Sequence, residues 1–110
     1  MSRLDRVATL IHRELATILI REIDDSKIGF ISVTHVRVSD DLEHAWIYYS
    51  QIGTPEQKIE TARHLQRAKK YIRFELGKVL QMKNVPNLRF AYDTSLEKGA
   101  DVLKKLDELK

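Results

Sequence analysis

Eight Lys or Arg residues lie between Lys58 and Lys83 against Glu60 and Glu75 alone, a local net charge of +6. The rest of the chain sums to −3, because all 110 residues together carry only +3. Basic charge gathered into one segment, rather than spread as a solubilising coat, is the footprint of a phosphate-rich partner. At about 100° per residue, Arg63, Arg67, Lys70 and Lys78 fall on one side of a helix, with Phe74 and Gly77 among them. Ile59, Ala62, Leu65, Ala68, Ile72, Leu76 and Val79 take the other side, so that side requires a core and the basic side faces outward. Charged helix faces are most often merely solvated, but ordinary ones mix signs at i,i+4 spacing and this one hardly does. Lys69 and Arg73 flank the middle of the segment. Arg73 sits at the edge of the apolar stripe, where its methylenes could equally cover the core.

A second constellation lies in HAWIYYSQI, residues 44–52. Paired with the preceding strand, it places Trp46 and Tyr48 beside Arg37 and His35 on the face away from the core. Aromatics beside a guanidinium can stack unpaired bases. The plainer reading is an Arg37–Trp46 cation–π pair that stabilises a hairpin. His12, His35, His44 and His64 have no spacing that gathers three ligands, so no metal or cofactor is implied. Asp40, Asp41 and Glu43 cluster acidic charge, but adjacent carboxylates between strands are more often turn chemistry than a catalytic pair. With zero cysteines there is no disulfide framework and no thiolate.

These residues need a scaffold. The length is that of one domain, and a hydrophobic fraction of 43% suffices for a core. No apolar run approaches a membrane span and the charged N-terminus does not resemble a signal peptide, which favours a cytoplasmic protein. Leu4, Val7, Ala8, Ile11, Leu15, Ile18 and Leu19 predict a helix to about Ile23, with Ser2 and Asp5 as a capping box. Ile28–Ser39 and His44–Ile52 predict a hairpin across Asp40–Glu43. That loop pairs Val38 with Ala45, Val36 with Ile47, Thr34 with Tyr49, Arg37 with Trp46 and His35 with Tyr48. The apolar phase slips between Val33 and Val36, which predicts a bulge near Thr34–His35. Thr54 and Pro55 start the basic helix, whose stripe reverses its drift near Ala68–Lys70 and so predicts a kink there. Pro86 bars further helix. Leu88–Asp93 predicts a third strand with Leu88, Phe90 and Tyr92 inward, entering parallel to a neighbour by a right-handed crossover. Leu96–Leu109 predicts a weak C-terminal helix or tail. The sum is a single α+β domain, a three-stranded mixed sheet with helices on one face.

The ordered residues resemble the ribosome-binding factor A family from about Asp5 to Gly99. Carrying the resemblance are Arg6-Val7, Arg21-Glu22-Ile23, Asp25-Ser26-Lys27-Ile28-Gly29-Phe30 and Val38-Ser39-Asp40-Asp41-Leu42-Glu43-His44-Ala45. Ile72-Arg73-Phe74-Glu75-Leu76, Val85-Pro86-Asn87-Leu88-Arg89-Phe90 and Asp93-Thr94-Ser95-Leu96-Glu97-Lys98-Gly99 complete it. The resemblance implies a type II KH-like domain of order α-β-β-α-(kink)-α-β that binds 16S rRNA in the immature 30S subunit. It implies help with processing of the RNA's 5′ end, especially in the cold, by a monomer without enzymatic activity. It leaves room for release by a ribosome-associated GTPase. The family kink carries the pattern Ala-x-Gly, whereas this chain reads Ala68-Lys69-Lys70. On this reading Arg63, Arg67, Lys69, Lys70, Arg73 and Lys78, with Arg37, Trp46 and Tyr48, contact RNA. Two rivals are a module whose basic helix binds an acidic protein and a small nuclease using the Asp40–Asp41 loop.

Overall fold

The computed structural model describes residues 2–22 and 30–95. Helix α1 (Arg3–Glu22) begins with the expected box: the Asp5 N–H donates to Ser2 Oγ at 3.1 Å, and the Ser2 N–H to Asp5 Oδ2 at 3.4 Å. Its apolar repeat buries Ile11, Leu15, Ile18 and Leu19.

Strands β1 (Phe30–Val38) and β2 (His44–Ile52) pair antiparallel, with Val38 opposite Ala45, Arg37 opposite Trp46, Val36 opposite Ile47 and His35 opposite Tyr48. The expected start of β1 at Ile28 lies outside the described residues. The bulge falls where the apolar phase slips, and it corrects one pair: Val33, not Thr34, stands opposite Tyr49. Freed from the ladder, the Thr34 hydroxyl donates to Asp93 Oδ2 at 2.6 Å. This bond, followed by those from Ser95, holds the Asp93 carboxyl down to about 2. In the hairpin loop, Asp41 Oδ1 accepts from Ser39 Oγ at 2.6 Å and from the Glu43 N–H at 3.0 Å. Turn chemistry thus occupies this carboxylate.

Thr54 and Gln57 form the capping box of helix α2 (Pro55–Leu80), whose first residue is proline. The helix runs uninterrupted through Ala68-Lys69-Lys70, so the expected kink is absent. The reason is local: no residue there has positive φ, and a Cβ at Lys70 disfavours the left-handed bend that glycine would accept. The buried stripe also differs from the expected one. Thr61, Leu65, Ile72, Leu76 and Leu80 are buried, whereas Ile59 and Val79 are exposed. Buried Thr61 is tolerated because its hydroxyl accepts a 2.7 Å bond from Gln51 Nε2, the inward-facing polar residue of β2. Gln81, left-handed at φ 51°, closes the helix.

Strand β3 (Asn87–Tyr92) lies parallel to β2, giving the order β1-β2-β3. Leu88 is buried, with Phe90 and Tyr92 packed at the margin of the core. Helix α1 contacts β1, α2 contacts β3, and the helices contact each other. Both helices thus cover the face carrying Val36, Ala45, Ile47, Tyr49 and Leu88. The opposite face carries Arg37, Trp46 and Arg89 in one cross-strand row, and no described element covers it. The predicted C-terminal helix lies outside the described residues.

Candidate nucleic-acid interface

The stripe that seats α2 against the sheet also decides which cations face away from it. Arg67 and Lys70 are exposed, and neither has an ion pair among the described residues. Arg63 is also exposed but holds Glu60 at 2.9 Å, one turn away. Lys78 holds Glu75 at 3.1 Å, and its ammonium lies 4.7 Å from the centroid of the Phe74 ring. That lysine's hydrogen bond is also the main reason the Glu75 carboxyl is shifted down.

Two expected contacts have different surroundings. Lys69 continues the line of Leu65, Ile72 and Leu76, and the continuous helix turns it half toward the core. It avoids burial by opening into a cleft of about 560 Å³ between α2 and β3. Lys70, Arg73 and Gln66 share this wall, while His44 and Arg89 stand on the sheet side. Arg73 donates from Nε and Nη2 to the Val85 carbonyl at 3.1 and 2.6 Å, and from Nε to the Pro86 carbonyl at 3.3 Å. Its guanidinium therefore fastens the chain entering β3 to α2, and only its outer edge is left for a ligand.

The outer edge of β3 forms the floor of the cleft. Asn87 and Asp93 donate their N–H groups to Glu43 and Tyr49 of the β2 side, at 2.8 and 2.7 Å. Alternation along a parallel strand then turns the N–H and C=O groups of Leu88 and Phe90 outward, toward the cleft. Unpaired strand groups thus lie beside Lys69 and Lys70.

Arg37, Trp46 and Tyr48 sit apart from this cleft, on the open sheet face. The Arg37 guanidinium lies 4.1 Å from the Trp46 ring centroid, and His35 stands 5.9 Å from Tyr48. The hairpin therefore already occupies part of its aromatic surface internally. Arg89 pairs with Trp46 across β2 and β3 and also borders the cleft, joining the two surfaces. Sequence reasoning did not single it out. The alternation of Leu88, Arg89 and Phe90 was the available signal, because it sends Arg89 away from the core.

Among the described residues, no group of three or more His, Asp or Glu side chains could hold a metal ion. No described helix is long and apolar enough to cross a membrane.

Residues 3–106 match the family model for ribosome-binding factor A. A protein of that name from Dictyoglomus thermophilum is 44% identical over 108 residues, covering 97% of this chain and 90% of the relative. The crystal structure of ribosome-binding factor A from Thermus thermophilus superimposes with a TM-score of 0.70 at 23% identity, over 83% of this chain and 97% of that one. A homology model of the Thermus thermophilus factor, fitted into a cryo-electron-microscopy map of a 30S complex, has a TM-score of 0.69 at 24% identity. It covers 79% of this chain and 91% of that one.

Proposed function

Because this chain belongs to the ribosome-binding factor A family, we propose that it is a non-enzymatic assembly factor that binds 16S rRNA in the immature small ribosomal subunit. The observation that carries the reading is the set of α2 cations Arg67, Lys69 and Lys70, which have no ion-pair partner among the described residues, with Lys69 and Lys70 bordering the open edge of β3. Free cations neutralise phosphates and release counterions, which gives affinity with little sequence choice. A strand edge beside them offers N–H and C=O groups to the edges of unpaired bases. RNA backbone along α2, with bases toward β3, satisfies both sets of groups. Arg63 and Lys78 extend the phosphate track, the outer edge of Arg73 closes its end, and Arg37, Trp46 and Tyr48 form a secondary contact across Arg89.

The protein acts in the cytoplasm as a monomer. It holds one RNA conformation while separate nucleases trim the 5′ end, a need that grows in the cold as misfolded RNA helices open more slowly. A ribosome-associated GTPase then releases it. Co-sedimentation with free small subunits tests the reading. Replacing Arg63, Arg67 and Lys70 together with Glu is expected to abolish association without changing the melting temperature. Association that survives both this change and raised salt would refute it, and RNA cleavage by the purified chain would replace it with the nuclease reading.

A further inference from the structure

Phe74 is 62% exposed on α2, where a phenylalanine gains little from the core. It borders a hollow of about 560 Å³ between the last turns of α2 and the return that follows them. Met82 and Val85 supply its apolar floor, and Lys70, Lys78 and Lys83 its rim, with no carboxylate in the lining. The hollow is firmly built. A Cβ at Gly77 would stand 3.2 Å from Val85 Cγ2, so this glycine lets the return lie close against the helix. The Arg73 fork then locks Val85 in place.

We propose that this hollow takes one unpaired nucleobase of the bound RNA, with Phe74 as the stacking platform and Lys70, Lys78 and Lys83 at the flanking phosphates. The inference rests on the RNA-binding reading above and deepens it by naming a single-stranded ligand and its anchor. An apolar protein partner fits poorly, because covering the ring would strip the Lys70 and Lys83 ammonium groups of water without supplying counter-charge. A nucleotide supplies a flat π surface for the ring and anionic oxygens for the rim. The Lys78 ammonium already stands beside the ring, 4.7 Å from its centroid, and reaches a phosphate there by exchanging its Glu75 carboxylate for it.

The test compares binding of a short single-stranded oligoadenylate, a blunt RNA duplex and polyglutamate by the full chain and its variants. Phe74→Ala and Phe74→Leu are each expected to weaken oligoadenylate binding about 5- to 150-fold. Duplex binding and melting temperature should hold, and Phe74→Tyr should retain affinity. With Trp46→Phe as background, Phe74→Trp should report directly, its emission quenched by oligoadenylate and not by duplex. Parental affinity in Phe74→Ala, or equal losses for single strand and duplex, would overturn the stacking site. If Arg67→Glu with Lys70→Glu still abolished binding in that case, the RNA-binding reading would stand without it. Preference for polyglutamate over both RNAs would overturn the two together.

Discussion

The carboxylates Glu60 and Glu75 compete with RNA for two of the cations on α2, and removing them should strengthen binding. Of the six cations expected there to meet phosphate, Arg63 and Lys78 already hold Glu60 and Glu75, and Arg73 is committed to the Val85 and Pro86 carbonyls. Arg67, Lys69 and Lys70 remain. With three phosphates neutralised, the slope of log affinity against log salt should be about −2.1 for single-stranded RNA and −2.7 for duplex. With all of Arg63, Arg67, Lys69, Lys70 and Lys78 engaged, it should steepen to about −3.5 and −4.5 respectively. Glu60→Gln combined with Glu75→Gln should move the protein from the first regime to the second. Surface pairs are weak, favouring the paired form by about 1.4- to 5-fold each, and although the Glu75 side chain is mostly covered its Lys78 partner is exposed, so the double change should raise affinity about 2- to 30-fold. Fluorescence anisotropy with labelled 16S rRNA fragments across a salt series would measure both quantities. A parental slope already near the steeper values, unchanged by the double substitution, would refute the competition. Arg63 and Lys78 would then abandon their carboxylates at no cost on meeting RNA.

Lys70→Gly is expected to destabilise the fold by about 1 kcal/mol in urea denaturation, because α2 is continuous helix there. Unchanged or increased stability would mean a bent backbone. Trp46→Ala should cost about 0.5–1 kcal/mol through loss of the Arg37 contact. A parallel loss of single-stranded RNA affinity would report base stacking on the sheet, whereas intact affinity would assign Trp46 to the hairpin alone. Asp93→Asn should change the acid limb of stability. A carboxylate held at about 2 stabilises the fold above its unfolded value of 3.8, and that contribution disappears as pH falls through about 2. The variant's urea midpoint should therefore vary less with pH than the parent's over that interval, and identical limbs would refute the Thr34–Asp93 linkage.

Features decided by neighbours in the chain were the legible ones. Ser2–Asp5 and Thr54–Gln57 are capping signals contained within four residues, and the slipped apolar phase between Val33 and Val36 located the bulge. The stripe of α2 was misjudged because Thr61 belongs to the core only by virtue of Gln51, a partner from another element. Counting apolar residues promoted Ile59 and Val79 in its place. The kink followed a drift in that mistaken stripe, and the absence of glycine at Lys70 was the better guide. Arg73 looked like a possible ligand contact because its acceptors, the Val85 and Pro86 carbonyls, reach it only through the tertiary return of the chain. Cations were legible by type, but their availability depended on geometry.

The sheet order also implies a sequence of events in folding. β2 meets β1 across the short Ser39–Glu43 link, but meets β3 only after the 26 residues of α2 have been made and packed. Loop-closure entropy and contact order therefore favour the hairpin early and place the docking of β3 late. The cleft's floor and the carbonyls that fasten Arg73 arrive in that same step. A nascent chain that has emerged only through α2 thus exposes every helix cation without the groove that gives them a geometry. Emergence of Val85 through Tyr92 supplies what turns a merely basic chain into a shaped receptor.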